Sequence, residues 1–142
     1  MAVLKEGQVI WKDGLAFEGV GASGFRVHMD SPQAEGGPTG FSPMELVLVA
    51  LAGCTAMDVI SILKKKRQDV TDFKVISHGV RAKDHPQVYT DITLEYVVRG
   101  RNVDPKAVER AIELSETKYC SVSAMLNKTA KITTTYRVEE AE

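Results

Sequence analysis

The stretch "LVLVALAGCTAMDVI", residues 46–60, decides the fold, because it is almost wholly apolar from Leu46 to Cys54 in a chain of otherwise ordinary composition. Just before it, Ser42-Pro43-Met44-Glu45 starts a helix, with serine at the N-cap, proline at N1 and glutamate at N3. The helical pattern continues to about Arg67, which at ~1.5 Å per residue makes a rod of roughly 37 Å. The uncharged run from Leu46 to Met57 is 12 residues and Asp58 interrupts it, short of the ~20 that a bilayer demands. No membrane association is expected, and a helix buried on all sides is the better account. Ala50, Ala52, Gly53 and Ala56 keep its surface small, and a mid-helix glycine costs ~1 kcal/mol against alanine, so a close packing partner is expected at Gly53. One sheet covers only one face of such a helix. The other face is expected to meet a second copy of the chain, with the long helices at the centre of a homodimer; the alternative is cover from the second helix of the same chain.

Outward from this helix, the pattern is that of an α+β protein. On the N-terminal side, Val9-Ile10-Trp11 and Leu15-Ala16-Phe17 flank Asp13-Gly14, the dipeptide of a type I′ hairpin. A third strand alternates Phe25, Val27 and Met29 with Arg26, His28 and Asp30. Residues 31–40 hold two prolines and three glycines with no apolar period, and read as a flexible loop. On the C-terminal side come strands over Phe73 to Arg81 and Val88 to Arg99; in the second, Val88, Thr90, Ile92, Leu94, Tyr96 and Val98 share a face. Asp104-Pro105 repeats the cap signal, and Val108, Ala111, Ile112 and Ser115 mark the inner stripe of a helix ending near Tyr119. Cys120 sits at the break, Ser121 to Asn127 reads as a further short helix, and Ile132, Thr134, Tyr136 and Val138 alternate in a closing strand. The order is βββ-α-ββ-α(α)-β in a single domain spanning residues 1–142.

A formal charge of −1 and a pI near 6.3 give no electrostatic reason to expect nucleic acid or anionic lipid as partner. The one basic run, Lys64-Lys65-Lys66-Arg67, closes the long helix, where cations complement the dipole. Met1-Ala2-Val3-Leu4-Lys5-Glu6 is too polar for a secretory signal, so the cytoplasm is the expected compartment.

Cys54 and Cys120 are the only cysteines, with no C-x-x-C spacing, so neither zinc nor a disulfide framework is read from them. A thiol is a nucleophile only as thiolate. Cys54, about three turns into its helix, is far from that helix's positive end, and Asp58 one turn on would disfavour its thiolate. Cys120, at the start of a helix, is better placed, because unpaired backbone N–H groups favour a thiolate. Without further context a buried, inert role suits either. Glu45 is accounted for as the N3 partner of Ser42 in a capping box; lying about 13.5 Å along the axis from Cys54, it would reach that thiol only from the partner in an antiparallel pair. His28, His78 and His85 have no ligand spacing, Gly36-Gly37-Pro38 is not a phosphate loop, and G-x-S-x-G is absent. No metal or cofactor is expected.

The segments "SPMELVLVALAGCTAMDVISILKKKRQDV", residues 42–70, and "RAIELSETKYCSVSAML", residues 110–126, resemble the OsmC/Ohr family of osmotically inducible and organic hydroperoxide resistance proteins, and within it the YhfA-like branch. The likeness covers nearly the whole chain in element order. It implies an intertwined α+β homodimer with its long central helices packed together, and a thiol peroxidase acting on small organic hydroperoxides. Cys54 would be the peroxidatic cysteine, forming a sulfenic acid, and Cys120 the resolving one, closing a disulfide. A dithiol or lipoyl-type reductant would restore both thiols. In the family a glutamate directly follows the helix-opening proline; here Met44 stands there and Glu45 comes one residue later, about 100° around the helix. Arg26, in "GFRVHMD", is the only arginine before the helix and so the candidate for the family's activating arginine. Ser121 follows Cys120 where the family usually has Cys-Pro. The alternative function is a non-catalytic homodimer that senses oxidants through the disulfide or binds a small hydrophobic ligand.

Overall fold

The computed structural model describes residues 5–142. Residues 1–4, part of the segment read above as too polar for a signal, lie outside the described residues. The fold is α+β, in the expected order of elements, and divides into two compact units, residues up to Val47 and Leu48–Glu142.

In the N-terminal unit, β1 (Gly7–Asp13), β2 (Ala16–Gly21) and β3 (Arg26–Met29) form an antiparallel sheet in that order. The first hairpin differs from expectation by one residue. Asp13 pairs with Ala16, so the turn residues are Gly14 and Leu15, and of these only Gly14 takes a positive φ, 54°. A type I′ turn needs positive φ at both, which leucine resists, so this turn is not of that type. Phe25 precedes β3 and is exposed instead of lying in the strand's half-buried face. β1 is exposed along its whole length, Val9 and Trp11 included. The glycine- and proline-containing loop after β3 is pinned, contrary to the flexible reading. The carboxylate of buried Asp30 accepts from the backbone N–H of Ser31 (2.7 Å) and Thr39 (3.1 Å) and from the Thr39 hydroxyl (2.9 Å). Those hydrogen bonds, the Thr39 N–H first, hold its carboxyl below the ordinary aspartate range.

Helix α1 (Pro43–Lys65) opens with the capping box expected from its sequence: the Glu45 N–H donates to Ser42 Oγ (3.2 Å) and the Ser42 N–H to Glu45 Oε1 (3.3 Å). It closes two residues earlier than Arg67, in a Schellman motif. The Gln68 N–H reaches the Leu63 carbonyl (3.0 Å) and the Arg67 N–H the Lys64 carbonyl (2.9 Å), with Arg67 at φ 57° in the left-handed position usually held by glycine.

The C-terminal unit carries a second sheet in the order β4 (Asp69–Arg81), β5 (Tyr89–Arg101), β6 (Lys131–Glu140). β4 and β5 are antiparallel; β5 and β6 are parallel, joined by a crossover through α2 (Pro105–Leu114), a π-helical turn (Ser115–Tyr119) and α3 (Ser121–Leu126). Asp104 caps α2 by accepting from the Lys106 N–H (2.9 Å), with Pro105 following it as expected. The expected face of β5 holds from Ile92 to Val98, all four apolar side chains being buried, and then slips. Tyr89 pairs with Arg81 and Asp91 with Val80, so Thr90 is an extra residue, and the bulge turns Tyr89 inward while Val88 and Thr90 face out.

From α1, Leu51, Thr55, Val59 and Leu63 enter the core, an i, i+4 stripe that shares the interior with Leu94 and Tyr96 of β5 and Val108 and Ala111 of α2. Each fully buried leucine or valine there contributes about 2 kcal/mol. The Ser77 hydroxyl on β4 donates to the Leu48 carbonyl (3.1 Å), fixing the helix on the sheet. By length and composition α1 could cross a bilayer, with a mean hydropathy of 2.3 over its most apolar window; in this fold its inner stripe is engaged by the sheet and α2. Its burial is one-sided, however, not complete. Val49 is 49% and Met57 73% exposed, and a side chain built at Gly53 would meet nothing within 4 Å. Neither the sheet nor α2 covers that face.

Since a non-glycine residue in the left-handed region costs ~1–2 kcal/mol, Arg67→Gly should raise stability by about 1 kcal/mol. A lower urea midpoint in the variant than in the wild type would show that the arginine's own contacts outweigh the strain.

Candidate active site

Cys54 and Cys120, 66 positions apart in sequence, come together in the C-terminal unit as free thiols, near enough for Cys54 to disfavour the Cys120 thiolate. Cys54 is half-buried on α1, beside the inner-stripe residue Thr55. Cys120 is 3% exposed and is the N-cap of α3, its sulfur accepting from the Ser123 N–H (3.3 Å). The backbone N–H groups of Ser123 and Val122 favour a thiolate there, as the sequence suggested. Burial outweighs them, and with the neighbouring Cys54 it pushes the Cys120 thiol up to about 11. The pair is therefore asymmetric: Cys120 is shielded and keeps its proton at neutral pH, while Cys54 is partly exposed.

Three hydroxyls and a carboxylate run past this pair in a chain. Tyr96 Oη is 2.7 Å from Thr55 Oγ1, Thr55 Oγ1 is 2.8 Å from Ser115 Oγ, and the Ser115 hydroxyl donates to Asp58 Oδ2 at 2.9 Å. Each hydroxyl has one proton, so the direction is set by its acid end. Ser115 gives its proton to Asp58 and accepts from Thr55, which in turn accepts from Tyr96. Tyr96, Thr55 and Ser115 are buried. Burial, with the nearby Glu116, Cys120 and Asp58, raises Tyr96 to about 12, so its phenol stays a donor. Glu116, on the π-helical turn, is itself raised by burial. The Asp58 end opens on a cavity of about 300 Å³ with Ser61, Ile62, Lys65, Leu114 and Tyr119.

The other two candidates lie in the N-terminal unit. Arg26 and Glu45 line one open cavity of about 570 Å³ with His28, Thr39, Gly40 and Phe41. Arg26 is already engaged: its guanidinium is ion-paired with Glu18 across the β2–β3 pairing, and Lys12 (3.8 Å) and His28 (3.8 Å) approach the same carboxylate. Arg26 first, through its hydrogen bond, holds the Glu18 carboxyl below the usual range. Glu45 holds the capping box described above. Among the described residues no three His, Cys, Asp or Glu side chains gather as metal ligands would.

The hydroxyl chain is what sequence reasoning missed. Its signal was present: Thr55 breaks the apolar stripe Leu51–Val59 of α1, and Ser115 ends the stripe of α2. A hydroxyl on each of two buried stripes needs a partner, and the two satisfy each other.

A family model described as OsmC-like protein matches residues 35–135. Protein YhfA of Escherichia coli K12 is 45% identical over 136 residues, which is 96% of this chain and 99% of YhfA. Among solved structures, a hypothetical protein from Aquifex aeolicus VF5 is 34% identical with a TM-score of 0.88, over 99% of this chain and 100% of that one. The organic hydroperoxide resistance protein OhrB of Bacillus subtilis has a TM-score of 0.66 at 16% identity, over 95% of this chain and 98% of its own, a likeness of fold. A chain that brings its two cysteine segments together in this fold, and tracks YhfA over nearly its full length, belongs to the OsmC-like family.

Proposed function

We propose that this protein is a cytoplasmic thiol peroxidase that reduces small organic hydroperoxides, its single domain working as an intertwined homodimer. The observation that carries the proposal is the asymmetric thiol pair, a partly exposed Cys54 beside a shielded Cys120 that holds its proton. A family likeness to proteins named for organic hydroperoxide resistance supports the substrate class.

In this reading the Cys54 thiolate attacks the distal peroxide oxygen. An S–O bond forms, the O–O bond breaks, and the leaving alkoxide takes a proton to become the alcohol, leaving a sulfenic acid. The Cys120 sulfur then attacks the sulfenic sulfur; its proton departs with the sulfenic hydroxyl as water, and the S–S bond forms. A dithiol or lipoyl-type reductant returns both thiols by exchange. A Cys120 that stays protonated until this step does not compete for peroxide. Arg26 and Glu45 belong to the same proposal as the activating cation and its carboxylate, roles assigned by resemblance; Arg26 would then have to exchange Glu18 for its new partner.

The dimer is supported by what one chain leaves uncovered: Val49, Gly53 and Met57 on α1, and Val9 and Trp11 on β1. Exposed apolar surface of this extent is characteristic of an interface, and a second copy seated against Gly53 would account for a glycine that otherwise costs the helix ~1 kcal/mol.

Consumption of an organic hydroperoxide with a dithiol should disappear in Cys54→Ser, while Cys120→Ser should complete a first oxidation and then stall as a sulfenic acid; wild-type rates in Cys54→Ser would overturn the proposal, and disulfide formation without turnover would favour a redox sensor. In native protein near pH 8, iodoacetamide should label Cys54 and spare Cys120, whose labelling rises only as pH approaches its value of about 11; equal labelling near pH 8 would contradict the assignment of roles. Sedimentation at micromolar concentration should give a dimer for the wild type and a weakened one for Met57→Asp, and a monomeric wild type would be decisive against the dimer.

A further inference from the structure

Ser115 lies where α2, the π-helical turn and α1 meet; its N–H donates within α2 to Ala111 and Ile112, and its hydroxyl and carbonyl are committed beyond that helix. Its hydroxyl sits between Thr55 Oγ1 (2.8 Å) and Asp58 Oδ2 (2.9 Å), the residues one and four positions after Cys54 on α1. Its carbonyl accepts the N–H of Cys120 at 2.7 Å. In a regular α-helix that carbonyl would take the N–H of Tyr119, four residues on. The π-helical turn passes it to Cys120 instead, so one residue is bonded to the turn of helix that carries one thiol and to the backbone of the other.

We propose that Ser115 is the positioning residue of the Cys54–Cys120 pair, a clamp whose side chain grips α1 and whose carbonyl holds Cys120 within reach of Cys54. This rests on the thiol-pair reading above and adds the residue that sets the pair's proximity. A serine is chemically suited to the place, because it must accept from Thr55 and donate to Asp58 at the same time. Alanine of similar size would leave the Thr55 hydroxyl without its acceptor and the Asp58 carboxylate without its donor, and the segment before Cys120 would lose its side-chain tie to α1. The chemistry affected is the closing of the disulfide. Each thiol gives up one proton and one electron, and an external oxidant, glutathione disulfide in the test, takes the two electrons and two protons to become two glutathione thiols.

The test is the disulfide equilibrium of the intact protein in glutathione redox buffers at pH 7, read by thiol trapping and mass spectrometry, which needs no peroxide. Ser115→Ala should shift the equilibrium about tenfold toward the dithiol, the effect expected for losing a hydrogen bond to a charged group. Asp58→Ala, at a half-buried position, should shift it the same way and serves should Ser115→Ala fold poorly. Asp58→Asn, which keeps an acceptor for the Ser115 hydroxyl, should restore most of it. Val98→Ala, a buried change on β5 outside the clamp, should lower stability without moving the equilibrium, which separates positioning from general destabilisation. Equilibria for Ser115→Ala and Asp58→Ala within twofold of the wild type would overturn the clamp, as would an equal shift in Val98→Ala. A wild type that forms the disulfide but consumes no hydroperoxide would refute the peroxidase reading and leave the clamp standing.

Discussion

The Thr55 hydroxyl, fixed between Tyr96 and Ser115, is the constraint on which the C-terminal unit turns. An apolar helix on an apolar sheet can rotate or slide with little change in buried area, because the hydrophobic effect has no direction. A buried hydroxyl does have one, and leaving it unpaired costs about 1–3 kcal/mol. Among the described residues no buried side-chain polar atom lacks a partner. That requirement sets the rotation of α1 against β5 and the π-helical turn, and with it the direction in which Cys54 faces. The apolar stripe supplies the bulk of the stability and the polar seam supplies the register.

Features set by neighbours in sequence were legible from it. The capping box at Ser42 and Glu45, the Asp104-Pro105 start of α2 and the position of Cys120 at the head of a short helix depend on a few adjacent residues, and all formed as expected. Features set by distant partners were not. The Thr90 bulge, which reverses the facing of Tyr89, depends on how β5 pairs with β4; the Arg26–Glu18 ion pair depends on β2 meeting β3. Cys120 shows how a correct local argument can lose. The N–H groups of α3 do pull toward the thiolate, and burial, which no local pattern displays, pulls harder the other way.

The two units differ in how far they complete themselves. The C-terminal unit encloses its own core, from Leu51 and Leu63 to Val108 and Ala111. The N-terminal sheet leaves β1 exposed on both faces, and its tightest order lies in polar contacts: Asp30 gathering the loop, and Glu18 gathering Arg26, Lys12 and His28. A sheet of three short strands is marginal without cover, and the proposed homodimer would supply it.

The π-helical turn ties Cys120's placement to a count of residues. Such a turn is equivalent to one residue inserted into an α-helix. Losing any one residue from 116 to 119 would turn it into a regular α-helical turn with the cysteine four residues after Ser115, so that its N–H would still meet the same carbonyl. A further residue gained there is the change the turn has no room for, since it already holds one extra, and it would carry Cys120 about 100° around the helix axis. For an evolving gene, the spacing from Ser115 to Cys120 is therefore open to a single-codon deletion and closed to an insertion.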